Sequence, residues 1–492
     1  MIYAVFHMYI FRKNAKNTQK KKTEPMMEKL CEDYNVNVTE LSLRLRADES
    51  FDIIKRNLRA GGKELCFFYI DGFVKDSEMQ RIMQTLLGRN ELPNAREAEL
   101  SLPYVEVERS DNVEKILTAV LSGQCAILAE SFGSSAILVD ARTYPARSTE
   151  EPDSDRVMQG SHDGFVETLV TNTALIRRRI RDTRLTMEHK NLGGASKTDV
   201  VICYMKGIAK DGLVNDVRKR LESAKPNSLT LGFQSLSETL IRRGWLNPFP
   251  KIRTTERPDT ASAQLLEGSV LVICDTSPQV MILPTSIFEY IEQADDFYFP
   301  PLTGTYLRLV RVAILLISVI ITPLWYLYLE YADMCPPVLR FLIPDDPGAL
   351  PIILQLFLVE LAIDGLKIAS MNTPNSLSNS LSIVGALILG DFAVGVGWLC
   401  PDVILYMAFV AIANFAQQNH ELGYAFKFMR MIILFFTWLF GVWGFGAGIA
   451  LFVLAIAKNR TLTPGGYLRP LKPWNKNAMK KLLIRTKKDD FE

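Results

Sequence analysis

Four ionisable residues inside long apolar runs are the residues of this sequence best suited to chemistry within a membrane. They are Glu360, Asp364, Lys367 and Asp391. The spacing i, i+4, i+7 puts the first three on one helix face, where Asp364 is expected to pair with Lys367 and Glu360 to remain partly unmatched. A charge at the bilayer centre costs about 2.5–3.5 kcal/mol on insertion scales. This face is therefore predicted to contact protein or water rather than lipid.

Two interpretations of the charged face stay open, a water-lined ion path and a buried ion pair that joins helices. The following run 371–380 favours water, because Pro374 interrupts the helix and the Asn and Ser side chains satisfy the freed backbone only in a hydrated or protein-lined setting. A pure anchor also gains nothing from intramembrane charge. The candidate pore or intramembrane polar residues are Glu360, Asp364, Lys367, Asn372, Asn375 and Asp391.

The elements that position these residues are predicted membrane helices. Four apolar runs approach or exceed the ~20 residues that a membrane span requires. Their ranges are 309–329, 350–369, 381–399 and 431–457, within a membrane domain 307–457. A shorter run, 403–416, is predicted to be re-entrant or interfacial.

Charge and small residues predict how these helices lie. The tail 458–492 is basic and is expected beside anionic headgroups, and Arg308 and Arg311 lead into the first span. Both termini are therefore predicted on the cytoplasmic side, so the number of spans is even. Four spans are predicted and six are the alternative. Glycines in the last run allow close helix contact, and the candidate packing residues are Gly441, Gly444 and Gly448.

The region before the membrane domain is predicted to be α/β. A chain of 492 residues exceeds one hydrophobic core, so several domains are expected. Residues 1–27 are interpreted as an interfacial or disordered leader, 28–147 as a first α/β subdomain and 148–300 as a second. Helices are predicted at 50–60, 77–87, 113–121, 164–181, 213–221 and 235–243. Strands are predicted at 65–70, 104–108, 125–130, 136–140, 199–205, 270–274 and 280–283.

Several function classes lack support in the sequence. The four histidines are scattered without metal-ligand spacing, and no recognisable catalytic motif is present, so no enzyme, cofactor or metal is predicted. The formal net charge of +2 and the absence of a nucleic-acid module argue against nucleic-acid binding. The seven cysteines form no C-x-x-C pair and are interpreted as reduced thiols.

Several motifs in fixed order resemble the A-subunit family of spore germinant receptors. They are QGSHDGFVET from Gln159, NTALIRRRIRD from Asn172, NPFP from Asn247, ERPDT from Glu256, LLEG from Leu265 and SIFEY from Ser286. The resemblance implies an inner-membrane protein of the spore that acts in ion and small-molecule release during germination. It also implies ring-like homo-oligomers around a pore, a small membrane partner protein and other germination proteins. The alternative is a non-conducting scaffold or ligand-binding receptor subunit anchored in the lipid bilayer.

Overall fold

The computed structural model describes residues 27–144, 155, 157–224, 226–241, 247–334, 336–372, 385, 393–417, 419–459, 461, 466–472 and 474–484. The predicted leader lies almost wholly outside these residues, as does the end of the basic tail. The chain divides into two compact units, Met1–Pro145 with Ile180–Thr186, and Ala146–Arg179 with Met187–Glu492.

The first unit is a five-stranded antiparallel sheet between helices. Its helices are α1 (Tyr34–Leu45), α2 (Asp76–Leu87), α3 (Ala95–Ser101) and α4 (Val113–Leu121). Its strands are β1 (Ile53–Ala60), β2 (Lys63–Ile70), β3 (Val107–Ser110), β4 (Cys125–Ala129) and β5 (Ala136–Val139), in the order β1-β2-β4-β5-β3. Because every residue of β4 is buried, this central strand is covered on both faces.

The second unit begins with a sheet of the same pattern. Its helices are α5 (Leu169–Arg179), α6 (Asp211–Ser223), α7 (Phe233–Leu240) and α8 (Pro258–Leu266). Its strands are β6 (Leu185–Leu192), β7 (Thr198–Met205), β8 (Arg253–Thr255), β9 (Val270–Cys274) and β10 (Val280–Leu283), in the order β6-β7-β9-β10-β8. Both sheets thus repeat one chain order, αββααβαββ.

The sequence predicted the buried strands better than the hairpins and short helices. The helix predicted at 50–60 is wrong, because this segment is β1 and pairs along its whole length with β2. Gly61 and Gly62 both have positive φ and form the two-residue hairpin turn, rather than ending a helix. Three helices were missed although all carried start signals. These are the Asp33 N-cap of α1, a capping box from Asn94 to Glu97 in α3 and Pro258 at the start of α8.

A helical region follows the second sheet. It contains α9 (Pro301–Glu330), α10 (Ile352–Asn372), α11 (Pro401–Phe415), α12 (His420–Ala457) and α13 (Lys476–Leu483), with one-turn helices at Asp295–Tyr298 and Ala393–Gly395. Among the described residues, α9 and α12 are long and apolar enough to cross a membrane. The predicted run 350–369 lies in α10, whereas most of 381–399 lies outside the described residues.

Helix α12 is a hairpin of two arms, residues 420–440 and 442–457. Gly441 has φ 56° and ψ −132°, which breaks the helix. The chain reverses there, because the Phe426 and Phe452 rings lie 5.5 Å apart and a Cβ on Gly448 would be 2.9 Å from the Ile433 Cα. The apolar run 431–457, predicted as one span, is therefore bent back on itself.

Candidate functional site

The predicted charged face of α10 lies against the first arm of α12. Glu360 accepts a hydrogen bond from the Arg430 guanidinium, with 2.7 Å between Nη2 and Oε2, and its other oxygen lies 3.1 Å from the Lys427 Nζ. Lys427 also pairs with Asp364. These four residues, Glu360, Asp364, Lys427 and Arg430, are called the buried charge cluster below.

This arrangement corrects the predicted pairing. Glu360 is not the unmatched acid, since two cations contact it, and the ion-pair partner of Asp364 is Lys427 on α12 rather than Lys367 on its own helix. The spacing of Lys427 and Arg430, i and i+3, complements the i, i+4 spacing of the acids across an antiparallel helix pair. Lys427 and Arg430 directly precede the run 431–457, so their complementary spacing was visible in the sequence.

Burial makes the cluster a structural joint between helices. The Arg430 side chain is 2% exposed and the Glu360 side chain 6% exposed, and Arg430 also donates from Nη1 to the Ser318 carbonyl of α9 at 3.4 Å. Three helices therefore meet at one guanidinium. Removing one partner of such a pair strands a buried charge at a cost of about 3–5 kcal/mol. The contacts of Glu360 and Arg430 therefore fit the interpretation of a buried ion pair that joins helices.

The side chains of the cluster become more exposed to solvent toward the C-terminal end of α10. The Asp364 side chain is 32% exposed. One turn further on, the Lys367 ammonium lies 4.6 Å from the Tyr424 ring centroid and 6.0 Å from that of Phe415, the geometry of cation–π contacts. Asn372, the last residue of α10, is exposed. Asn375 and Asp391, the other candidate polar residues, lie outside the described residues.

The candidate packing glycines have two different roles. A Cβ on Gly444 would lie 1.8 Å from the Phe436 carbonyl oxygen, and one on Gly448 would contact the Ile433 backbone, so both sit where the two arms touch. Gly441 provides the reversal itself, next to the Tyr331 hydroxyl at the end of α9. The sequence predicted all three as packing residues, whereas a positive φ separates Gly441 from the other two.

The segment 247–250 holds the open end of the hairpin. The Phe249 ring lies 5.9 Å from Phe426 on the first arm and 6.1 Å from Phe452 on the second. Asn247 donates from Nδ2 to the Ala455 carbonyl at 2.9 Å. The NPFP motif thus connects the chain leading into β8 with both arms of α12.

The start of α9 is fixed by a second set of buried charges. Asp296 is fully buried and accepts from Arg311, with Nη2 to Oδ1 at 3.1 Å, and from Arg308, with Nε to Oδ2 at 3.3 Å. Glu292 also pairs with Arg308, at 3.0 Å. The two arginines that were expected to lead into the first span therefore fasten α9 to the chain just before it.

Two of the sequence motifs meet at the start of α8. Arg257 is fully buried and donates from Nη2 to Asp259 at 2.7 Å and to the Ser161 carbonyl at 2.8 Å. The Tyr298 hydroxyl donates to the same Asp259 oxygen at 2.7 Å. The ERPDT motif thereby holds the loop of the QGSHDGFVET motif, which is a structural role.

A half-buried carboxyl in the chain that follows β10 makes stability depend on pH. Burial raises the pKa of Glu289 to about 7, against the opposing charges of Arg253 and Arg469. Since the folded state then holds this proton more tightly than the unfolded state, the contribution is complete below about pH 4.5 and is lost as pH rises through about 7.

We expect the free energy of unfolding of the full chain in detergent to fall by up to about 3 kcal/mol between pH 5 and 8 through this residue. Glu289→Gln should remove that part of the pH dependence, because a neutral amide does not titrate. Denaturant unfolding of both proteins across this range provides the measurement. Parallel pH profiles for the two proteins would contradict a titrating Glu289.

Comparison with known proteins gives consistent matches along most of the chain. The family model of the Bacillus/Clostridium GerA spore germination protein matches residues 41–492. Stage V sporulation protein AF of Bacillus subtilis strain 168 is 37% identical over 454 residues, which cover 90% of this chain and 91% of that protein. Spore germination protein KA of the same organism is 27% identical over 449 residues, covering 89% and 81%.

One solved structure is also similar. The N-terminal domain of the A subunit of the Bacillus megaterium spore germinant receptor GerK3 matches with 25% identity and a TM-score of 0.38. The match covers 53% of this chain and 97% of that domain.

Proposed function

Because the chain belongs to the Bacillus/Clostridium GerA spore germination protein family, we propose that it is an integral membrane subunit of a spore germination complex. In this proposal it lies in the spore inner membrane and forms or gates an ion-conducting path that promotes ion and small-molecule release. The sheets and both termini face the spore core. Copies of the chain assemble around the path, together with a small membrane partner and other germination proteins.

Surface exposure of the apolar helices supports membrane insertion. Only 33% of the most apolar stretch of α9 and 11% of that of α12 is buried. A core helix of a water-soluble protein hides such a surface against its own chain. The exposed side chains of the second arm include Trp443, Val453 and Leu454, which suit a lipid environment.

The observation that supports conduction is the polar character of α10 from Asp364, the most exposed member of the buried charge cluster, to the end of the helix. Asp364 is partly exposed, Lys367 makes contacts to aromatic rings and Asn372 is exposed. A helix that serves only as an anchor gains nothing from three polar residues among its last nine, whose cost in lipid is several kcal/mol. Water or a polar path beside this end of α10 removes that cost.

A second candidate function has its own support. The pairing of Glu360 with Arg430 and Lys427 neutralises one of the acids that would otherwise attract a permeating cation. A non-conducting scaffold, in which the helices anchor and assemble the sheets, fits this pairing as well. In the conducting protein Lys367 faces a cation path, whereas in the scaffold no such path exists.

Ion flux through liposomes that contain the purified protein separates the two candidates. If Lys367 faces a cation path, Lys367→Gln removes a repulsive charge and should raise K⁺ flux roughly 2- to 10-fold, as an electrostatic effect of about 0.4–1.4 kcal/mol gives. Lys219→Gln, at an exposed position of α6, is the matched control and should leave flux unchanged.

The scaffold predicts no K⁺ flux above that of empty liposomes for any of the three proteins. Flux that is present but equal in the wild type and Lys367→Gln would reject a pore position for Lys367. Equal reconstitution is checked by the amount of protein recovered in the liposome fraction.

A further inference from the structure

The chain after the hairpin returns to the point where α9 becomes apolar. Tyr467 is buried against Phe249 and Tyr290, and its carbonyl accepts from the Ile287 amide at 3.0 Å. Helix α13 then packs beside α9, where the Leu482 carbonyl accepts from Arg308 Nη1 at 2.7 Å. Arg308 directly precedes the run 309–329. Helix α13 is thus held beside Arg308, the residue after which the apolar surface of α9 begins.

The free surface of this segment is both basic and apolar. Residues 471–484 contain no Asp or Glu. Lys472, Lys476 and Lys480 are exposed, and Lys476 and Lys480 share one face of α13. Trp474 is 65% exposed, and Leu471 and Ile484 are each 44% exposed. Lysines for phosphate groups beside apolar side chains for the acyl boundary are the composition of an interfacial helix.

We propose that residues 471–484 bind the anionic lipid surface of the inner leaflet, with Trp474 inserted among the headgroups and the three lysines paired with lipid phosphates. The inference rests on the proposed membrane insertion of α9. Charge complementarity selects anionic lipid as the occupant, since the segment is purely basic and lies where headgroups meet an embedded α9.

Contact with lipid at this place constrains α9. Arg308 contacts the Leu482 carbonyl of α13 and also pairs with Asp296 and Glu292. A displacement of residues 471–484 by the lipid surface is therefore transmitted to the start of α9 through this one side chain. Residues 471–484 therefore restrict the position of α9, and the strength of this restriction depends on the fraction of anionic lipid in the leaflet.

Quenching of Trp474 by brominated lipid tests this proposal in the full chain. The protein is placed in nanodiscs of phosphatidylcholine alone or with phosphatidylglycerol, each with and without bromine on the acyl chains near the headgroups. The difference between the wild type and Trp474→Phe gives the emission of Trp474. We expect this emission to be quenched in anionic nanodiscs, and roughly twofold or more less so in phosphatidylcholine alone.

Two triple variants give the matched comparison. Replacing Lys472, Lys476 and Lys480 with Gln should reduce quenching in anionic nanodiscs to the phosphatidylcholine level. Replacing Lys206, Lys210 and Lys219 with Gln removes the same charge from exposed positions near the second sheet and should change nothing.

The remaining tryptophans separate the proposal from its premise. If the other tryptophans, which include Trp325, Trp398, Trp438 and Trp443, are quenched in the Trp474→Phe protein but Trp474 in the wild type is not, the inference alone is overturned. If none of these tryptophans is quenched, membrane insertion itself fails. Equal quenching of Trp474 in both lipids, or in both triple variants, overturns the role of anionic headgroups.

Discussion

Replacing Glu360 with Gln is expected to destabilise the protein by about 3–5 kcal/mol, because it leaves a buried guanidinium without its counter-charge. Arg430 is 2% exposed, and Lys427, the second cation on Glu360, pairs with Asp364, so the variant leaves two cations and one acid in the buried charge cluster. The free energy of unfolding in detergent and the amount of protein in the membrane fraction measure the effect. Glu421→Gln, at an exposed position of the same arm, is the matched control and should stay within about 0.5 kcal/mol of wild type.

A double variant distinguishes a lost pair from a poorly tolerated residue. Glu360→Met with Arg430→Met removes both charges and keeps apolar volume, and Lys427 retains Asp364 as a partner. It should be more stable than Glu360→Gln, since replacing both ions of a buried pair by apolar groups is often neutral or favourable. Wild-type stability in Glu360→Gln would show that Glu360 is solvated, which restores it as a candidate for an ion path.

Replacing Gly444 with Ala is expected to separate the two arms of α12. The new Cβ would lie 1.8 Å from the Phe436 carbonyl oxygen and 2.5 Å from its carbon, and a backbone group cannot rotate away as a side chain does. Overpacking of this kind costs about 1–3 kcal/mol or more. A lower thermal midpoint in detergent and faster proteolysis of the hairpin are the expected results.

Gly446 provides the matched control on the same arm, because a Cβ on this residue would meet nothing within 4 Å. Alanine has the better helix propensity by about 1 kcal/mol, so Gly446→Ala should be neutral or stabilising. Equal thermal midpoints and proteolysis rates for Gly444→Ala and Gly446→Ala would show that the arms do not touch at Gly444, and would contradict the hairpin in α12.

The sequence by itself determined the features that depend on neighbouring residues or on motifs in order. The buried strands at 125–130, 136–140, 199–205, 270–274 and 280–283 are confirmed within a residue or so, because their continuous apolar runs have strand length. The resemblance to the spore germinant receptor family is confirmed by a match over residues 41–492. The presence of charge within the apolar run of α10 was likewise readable from the sequence.

Only the tertiary structure decided which charges meet and where the chain reverses. Glu360 and Arg430 are 70 residues apart, and no local spacing specifies that their helices run antiparallel at this register. The reversal at Gly441 depends on a positive φ that glycine permits but does not require, while the surrounding residues alone predict a continuous helix. Ion pairing between distant segments and backbone reversal are therefore properties of the packed molecule.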